Sequence, residues 1–241
     1  MTNNTSQLKA PIQETFFSFQ GEGIYVTQPQ IFVRFYGCNL KCNYCDTLQN
    51  AKKIKYLSTK QLIESINKIA KRNKRFFPKT FPITIAFTGG EPLVHWKFLR
   101  MLLPSLRKAA FKIYLETNAT MPEYFMRIRH LVDVTSMDIK LPSACKTNNW
   151  HKHRNFLKAA RKNVFVKIVV GNKSTKDEIL KAVRLVKSVS VNIPCVLQPD
   201  GRYKTYSKLL LTKYSTFIKI AKQYLKNVHF ITQMHKIWNI N

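Results

Sequence analysis

The feature that most constrains the fold is a series of short apolar runs, rich in β-branched and aromatic residues, that recurs along the chain. Within each run the apolar character is continuous rather than alternating, which is typical of strands buried on both faces of a parallel sheet. The series therefore predicts a mostly parallel sheet in the interior of the protein. The runs lie at residues 30–37, 83–90, 112–118, 132–140, 164–171, 195–199 and 228–233.

Amphipathic helix patterns separate these runs. The segment that follows Ser58 and Thr59, either of which can cap a helix, carries apolar residues at helical spacing, and the segment after Ser174 and Thr175 repeats the arrangement. Strand and helix alternate about six times, which predicts an α/β fold, either a βα barrel or an open doubly wound sheet. Because no linker or repeat is present, we expect residues 1–241 to form a single domain.

Composition and charge indicate where in the cell the protein is expected and which partners it can bind. The longest apolar runs are far shorter than the roughly 20 residues that cross a bilayer, and the first residues lack the apolar centre of a secretory signal. We therefore expect a cytoplasmic protein without a membrane partner. The chain has 41 Lys and Arg against 12 Asp and Glu, a formal net charge of +29, which would suit nucleic acid. The basic residues are scattered, as on a solvated surface, so direct nucleic acid binding stays open.

Polar residues stand at the carboxyl ends of the predicted strands. Both candidate architectures gather their chemistry at this edge of the sheet. Gly89 and Gly90 allow close backbone approach to a ligand, and Glu91 offers an acceptor for an ammonium group. Other strand-end residues are Glu116, Asn118, Asp138, Lys140 and Gln198.

Three cysteines follow the first run with the spacing C-x3-C-x2-C: Cys38, Cys42 and Cys45. Three thiolates in one loop can hold three corners of a cubane iron–sulfur cluster and leave one iron open to a small molecule. The alternatives are an incidental cluster of cysteines, or zinc, which wants four protein ligands or three and a water. Cys145 and Cys195 stand alone; Cys195 is interpreted as a core side chain, and Cys145 as a small side chain that is buried or partly exposed. This pattern is not that of a disulfide framework.

With Tyr44 just before the last cysteine, the loop resembles the cluster loop of the radical S-adenosylmethionine enzymes. "FTGGEP", residues 87–92, is similar to the part of that family that binds the methionine amine. The resemblance implies a partial (βα)6 TIM-type barrel in which S-adenosylmethionine chelates the open iron of a 4Fe-4S cluster and is cleaved reductively to a 5'-deoxyadenosyl radical. It also implies cofactor contacts at Tyr44, Asp46, Gly90, Glu91, Glu116, Asn118, Ser136, Lys140 and Gln198.

The segment "ETFFSFQGEGIYVTQPQIFVRFYGCNLKCNYCDT", residues 14–47, resembles the start of the 7-carboxy-7-deazaguanine synthase family within that superfamily. Further matches lie at residues 136–143, 196–199 and 232–236. The resemblance implies a lyase that converts 6-carboxy-5,6,7,8-tetrahydropterin to 7-carboxy-7-deazaguanine with loss of ammonia, in the biosynthesis of the queuosine type of tRNA base. It also implies Mg²⁺, a homodimer, and an electron donor such as flavodoxin or ferredoxin.

The demands of a pterin suit the residues in these motifs. Its flat donor and acceptor edge can be bound by the backbone and carboxylate of Gln20, Gly21 and Glu22, and its carboxylate suits the guanidinium of Arg34. By resemblance, Phe19 and Thr88 are also expected to contact the substrate, and the hydroxyl of Thr47 to bind Mg²⁺. His235 and Lys236 can approach the site or play a structural role. Ala119 stands where the family has glycine, and no general acid or base can be assigned.

Two other functions compete with this interpretation. A glycyl-radical enzyme activase shares the cysteine spacing but acts on a protein backbone, and "FSFQGEG" together with Thr47 argues against it. A basic RNA-binding protein with a structural cluster would need an aromatic and basic surface signature, and none is recognised in the sequence.

Overall fold

A computed structural model describes residues 8–45, 54–160, 163–202 and 207–240 of the chain. Nine strands in these residues form one sheet in the order β3-β1-β2-β4-β5-β6-β7-β8-β9. The strands are β1 Lys9–Phe19, β2 Pro29–Phe35, β3 Lys55–Ser58, β4 Thr84–Gly89, β5 Lys112–Thr117, β6 Val134–Asp138, β7 Val164–Val170, β8 Cys195–Pro199 and β9 Val228–Phe230.

The seven strands predicted from the apolar runs are all present, and they lie side by side in parallel as β2 and β4 through β9. Strands β1 and β3 were not predicted from the sequence. Strand β1 pairs antiparallel with β2 and with β3, which extends the sheet beyond the parallel set. Most residues of β1 and β3 are only partly buried, so neither strand has the continuous apolar character of a central strand.

Helices follow most of the parallel strands and cover the outer face of the sheet. Ser58 and Thr175 are the caps of the two helices that were predicted, and each belongs to a capping box. Apolar residues of the helices and of the sheet's outer face form the main core, which includes Leu62, Leu99 and Val183. None of the helices in the described ranges is long and apolar enough to cross a bilayer. The helices are α1 Thr59–Arg72, α2 Trp96–Lys108, α3 Pro122–Met126, α4 Pro142–Cys145, α5 Trp150–Ala160, α6 Lys176–Lys187, α7 Lys208–Tyr224 and α8 Met234–Trp238.

A second, smaller core fills the inner face of the sheet. Six consecutive parallel strands, β2 and β4 through β8, contribute one residue each to it. Because one buried cluster unites side chains from six neighbouring strands, the sheet curves around it as a partial barrel, which confirms the predicted fold class. The six residues are Phe32, Ala86, Tyr114, Val134, Phe165 and Val196.

Candidate active site

A ring of polar side chains lies directly above the inner core. Side chains two residues apart on a strand point to the same face, so the residue two positions after each inner-core residue also faces the barrel interior. At all six strands that residue is polar, and all six line one cavity of about 400 Å³ at the carboxyl ends of the strands. The ring comprises Arg34, Thr88, Glu116, Ser136, Lys167 and Gln198.

The cavity brings together the predicted cluster loop and the predicted substrate segment. Apart from Glu91, every predicted site residue within the described part of the chain lines it. Asp46 and Thr47 lie outside the described residues. From the cysteine side the lining includes Cys38, Cys42, Tyr44, Cys45, Gly90, Asn118 and Lys140, and from the substrate side Phe19, Gln20, Gly21 and Glu22.

The donor chemistry of the cysteine loop fits an iron–sulfur cluster. Cys38, Cys42 and Cys45 are free thiols with partial or full exposure. The Cys38 sulfur accepts from the backbone N–H of Leu40 at 3.4 Å and from Nδ2 of Asn118 at 3.7 Å, and such bonds tune cluster thiolates. Among the residues that the structure describes, no three His, Cys, Asp or Glu side chains converge on one ion. Each cysteine of a cubane cluster binds a different iron, so such convergence is not required.

Two glycines bring strand β4 against the start of the cluster loop. Gly89 has φ +104°, in the region that favours glycine. A Cβ on Gly90 would lie 1.8 Å from the carbonyl oxygen of Gly37. The Gly90 N–H donates to the Phe35 carbonyl at 2.9 Å, and the Glu91 N–H donates to the Gly37 carbonyl at 2.8 Å. The motif therefore packs closely on the backbone that precedes Cys38; Gly89 and Gly90 also line the cavity, and their close approach to a ligand stays a prediction.

The carboxylate of Glu91 is fully buried and is hydrogen-bonded by protein groups, and its contact with a ligand ammonium stays a prediction. It accepts from Oγ1 of Thr117 at 2.8 Å, from the N–H of Asn118 at 2.7 Å and from the N–H of Leu93 at 3.0 Å. Burial raises the pKa of Glu91 to about 7, although these hydrogen bonds oppose the shift. Its interactions tie the end of β5 to the turn after β4 and orient Asn118, whose Nδ2 reaches the cluster loop.

The loop after Asn118 accommodates alanine in a position usual for glycine. Ala119 is buried and has φ +55°, in the left-handed region. Its N–H donates to Oγ1 of Thr117 at 3.0 Å. The strand end is therefore where the sequence predicted it, and the left-handed residue carries a Cβ at a cost of about 1–2 kcal/mol.

The opposite wall of the cavity is organised around Gln20. Its Nε2 donates to Oε1 of Glu116 at 3.0 Å and to Oε1 of Gln30 at 3.2 Å. Its Oε1 accepts from the backbone N–H of Glu22 at 3.0 Å. The hydroxyl of Thr88 donates to the other oxygen of Glu116 at 2.7 Å. Gln20 therefore fixes the conformation of the loop that presents Glu22 to the cavity.

A chain of four buried charges crosses the cavity floor. The Lys167 ammonium donates to Oε2 of Glu22 and lies 3.5 Å from Oδ2 of Asp138, which accepts from the Lys140 ammonium at 2.7 Å. Burial alone would raise the pKa of Glu22, but the charge and hydrogen bond of Lys167 prevail and lower it to about 2. Burial lowers the pKa of Lys140 and Lys167, but the neighbouring acidic groups outweigh it, and both values lie above the ordinary range.

Lys167 was not among the residues predicted from the sequence, and Asp138 was predicted only as a strand-end residue. A signal for Lys167 was present, because it is the only charged residue in the run "VFVKIVV". All seven residues of β7 are buried, and a buried ammonium requires acidic partners. A lysine within a central strand therefore indicates a buried ion pair at the site.

Gln198 also faces the cavity and has free hydrogen-bonding capacity. Its side chain is completely buried, and among the described residues neither atom of its amide has a hydrogen-bond partner. Buried amides are rarely left unpaired in proteins. This arrangement fits the predicted role of Gln198 in contacting a polar ligand.

Arg34 lines the cavity but already has a protein partner. Its Nη1 donates to Oε1 of Glu14 at 2.6 Å, and the guanidinium lies 5.1 Å from the ring centre of Phe16. The Phe16 ring stacks on Phe32 with 5.2 Å between centroids. Arg34 is therefore held at the cavity wall above an apolar surface.

The C-terminal segment closes the cavity beside the loop of Glu22. The N–H of Met234 donates to the Gly21 carbonyl at 2.8 Å, and Nε2 of Gln233 donates to Oε1 of Glu22. His235 and Lys236 line the cavity, in agreement with the expectation that they can approach the site. The sequence did not predict the part played by Gln233.

The two remaining cysteines lie outside the cavity lining. Cys195 is fully buried in β8, and burial raises the pKa of its thiol to about 12. The Cys145 thiol is buried at the end of α4 and donates to the Leu141 carbonyl at 3.4 Å. Both therefore have the structural environment that was expected.

Comparisons with known proteins agree with this arrangement. Residues 32–186 match the family model of the Radical SAM superfamily. The chain is 34% identical to the 7-carboxy-7-deazaguanine synthase of Geobacter sulfurreducens over 94% of this chain and 96% of that protein. It is 33% identical to the synthase of Methanopyrus kandleri over 78% and 80% of the two chains. The fold resembles the crystal structure of QueE from Escherichia coli with a TM-score of 0.63 at 20% identity, covering 98% and 100% of the chains.

Proposed function

Because the chain belongs to the 7-carboxy-7-deazaguanine synthase family of the radical SAM superfamily, we propose that it converts 6-carboxy-5,6,7,8-tetrahydropterin to 7-carboxy-7-deazaguanine with loss of ammonia. The observation that carries this proposal is the single cavity in which the cysteine loop faces the loop of Glu22. The similarity to curated synthases over nearly the whole chain favours this activity over the glycyl-radical activase.

The superfamily's cofactors are a 4Fe-4S cluster and S-adenosylmethionine, and the residues present fit them. Cys38, Cys42 and Cys45 would bind three irons, and Gln198 has an unpaired buried amide for the organic cofactor. When bound, this pair supplies a one-electron reduction and a carbon radical that removes a hydrogen atom from the substrate.

Around that chemistry the chain binds the substrate and shields it from water. Glu22 is ionised and can accept N–H groups of a pterin, while Arg34 offers its guanidinium to the substrate carboxylate. Phe16 and Phe32 line the cavity with stacked rings and give that wall an apolar surface. On the wall opposite the cysteine loop, Thr88 and Gln20 both donate hydrogen bonds to Glu116 and hold its carboxylate in place.

Further parts of the proposal rest on the family resemblance. We expect Thr47 to contribute a hydroxyl to a Mg²⁺ ion together with water and substrate oxygens. We also expect a homodimer in the cytoplasm that receives electrons from flavodoxin or ferredoxin. Since all nine described strands join one sheet, residues 1–241 are proposed to form one domain.

The test is an anaerobic assay of the reconstituted protein. The enzyme is loaded with iron and sulfide and incubated with dithionite, S-adenosylmethionine, Mg²⁺ and 6-carboxy-5,6,7,8-tetrahydropterin. We expect 7-carboxy-7-deazaguanine and ammonia in equal amounts. The Cys42→Ala variant should form neither, whereas Cys195→Ala, which alters a buried cysteine outside the cavity, should retain the activity. A protein with a full cluster that forms no 7-carboxy-7-deazaguanine would refute the proposal.

A further inference from the structure

Lys167 lies at the centre of the buried charge chain, between the substrate side and the cofactor side of the cavity. On one side it contacts Glu22, and on the other it lies 3.5 Å from Asp138, which binds Lys140. The four side chains retain only 9% to 16% of their exposure, and positive and negative charges alternate along the chain. Each charge is therefore compensated by a neighbour that water can hardly replace.

Glu22 depends on Lys167 because it lies in a loop and is buried. The groups that face its carboxylate are Lys167 from β7, Gln233 and His235 from the C-terminal segment, and Tyr114 from β5. Of these, Lys167 carries a positive charge at neutral pH and donates directly to the carboxylate. Without it, burial would favour the protonated carboxyl.

The two oxygens of Glu22 each keep room for a ligand. Oε2 accepts from Lys167 and Oε1 accepts from Gln233. A carboxylate has about four lone-pair sites, so one site on each oxygen stays available. Two adjacent acceptors form a fork that matches two adjacent N–H donors, as in the amino-pyrimidinone ring of a pterin or guanine.

We propose that Lys167 is a positioning residue that holds Glu22 ionised and oriented, and that it thereby selects substrates with two adjacent N–H donors. The inference rests on the proposed function only in the identity of that substrate. The contact between Lys167 and Glu22 forms without substrate, so it can be tested separately from the proposed function.

The first experiment follows the protonation of Glu22 without substrate. The reconstituted enzyme, with its cluster oxidised, is labelled with ¹³C at the glutamate carboxyl, and the Glu22 signal is assigned by its loss in Glu22→Gln. In the wild type we expect no titration of Glu22 between pH 5 and 8. In Lys167→Met the signal should titrate within that window, whereas Lys167→Arg should behave as the wild type does. An unchanged Glu22 signal in Lys167→Met would overturn the inference.

The second experiment measures KM for 6-carboxy-5,6,7,8-tetrahydropterin as a function of pH. Lys167→Met should raise KM at least about tenfold at pH 7, since one member of a buried charge pair is removed. KM should then fall as the pH rises and Glu22 ionises. Lys167→Arg should restore the flat profile of the wild type. Lys60→Met, an exposed lysine on α1, is the matched control and should leave KM unchanged.

If Lys167→Met alone does not fold, a double variant tests the inference instead. In Glu22→Gln/Lys167→Met both charges are absent, and its KM should equal that of Glu22→Gln, because Lys167 acts through Glu22. A further tenfold loss in the double variant would mean that Lys167 contacts the substrate itself and would contradict a positioning role. If the wild type fails to convert the pterin, but the Glu22 signal stays constant in the wild type and titrates in Lys167→Met, the proposed function is refuted and the inference is not.

Discussion

Replacing Gly90 by alanine should disrupt the cluster loop through steric overlap alone. The new Cβ would lie 1.8 Å from the Gly37 carbonyl oxygen and 2.4 Å from its carbon. An ordinary contact needs 3.4 Å or more, so the two backbones must separate by about 1.6 Å. That separation breaks the hydrogen bonds from Gly90 to Phe35 and from Glu91 to Gly37, and it moves the residue before Cys38.

The expected cost follows from this overlap. Overpacking in a close-packed region costs about 1–3 kcal/mol, and here backbone meets backbone, so we expect about 3 kcal/mol. For a chain of this size each kcal/mol lowers Tm by about 2–4 °C, which predicts a decrease of about 6–12 °C. Because the shift is transmitted to Cys38, the variant should also retain less iron after reconstitution.

The assay combines thermal unfolding of the cofactor-free protein with iron content and the visible absorbance of the reconstituted cluster. Gly37→Ala is the control: it introduces strain at φ +89°, but its Cβ would meet no atom within 4 Å. It should therefore lower the free energy of unfolding by about 1–2 kcal/mol. It should also retain more iron than Gly90→Ala. A Gly90→Ala protein with the Tm and iron content of the wild type would refute the steric reasoning.

Three further predictions concern the metal, the loop and pH. Thr47→Ala should lose most of the stimulation by Mg²⁺, and unchanged metal dependence would remove Thr47 from the site. Arg202→Met removes the 2.6 Å hydrogen bond to the Asn43 carbonyl and should speed cluster loss, measured as the decay of visible absorbance. The Glu91 pKa is about 7 in the folded protein against an ordinary 4.5, so its contribution to stability is complete below about pH 4.5 and is lost as pH rises towards 7. Glu91→Gln should remove that loss: in urea titrations of the cofactor-free proteins, its unfolding free energy should fall less than the wild type's between pH 5 and 7. The lowered pKa of His153 has the opposite effect in both proteins and cancels in the comparison.

The central strands and the site motifs were predictable from the sequence because their signals are local. A strand buried on both faces must be apolar along its length, which reveals β2 and β4 through β9. Strand ends carry the polar residues, so Glu116, Asn118 and Gln198 could be named from their place at the end of an apolar run, whereas Ser136 was implied by the family resemblance. The cysteine spacing is local as well, and the radical SAM resemblance rests on it.

Other features depend on contacts between segments that are distant in the chain. Strand β1 is partly exposed, so its pattern did not differ enough from that of a loop to be predicted. Gln233 reaches Glu22 across 211 positions of sequence, and Lys167 does so across 145. No spacing rule links residues so far apart.

The sequence by itself therefore determined the parallel sheet through short apolar runs, and it determined the cysteine loop and most cavity residues through short motifs and the family resemblance that they carry. Only the tertiary structure decided what those residues contact. It turned Glu91 towards the end of β5, placed Gly90 against Gly37, and joined Glu22, Lys167, Asp138 and Lys140 into one chain of charges. The physical reason is that burial selects residue types locally, whereas a buried charge is stabilised by whichever partner the fold brings within reach.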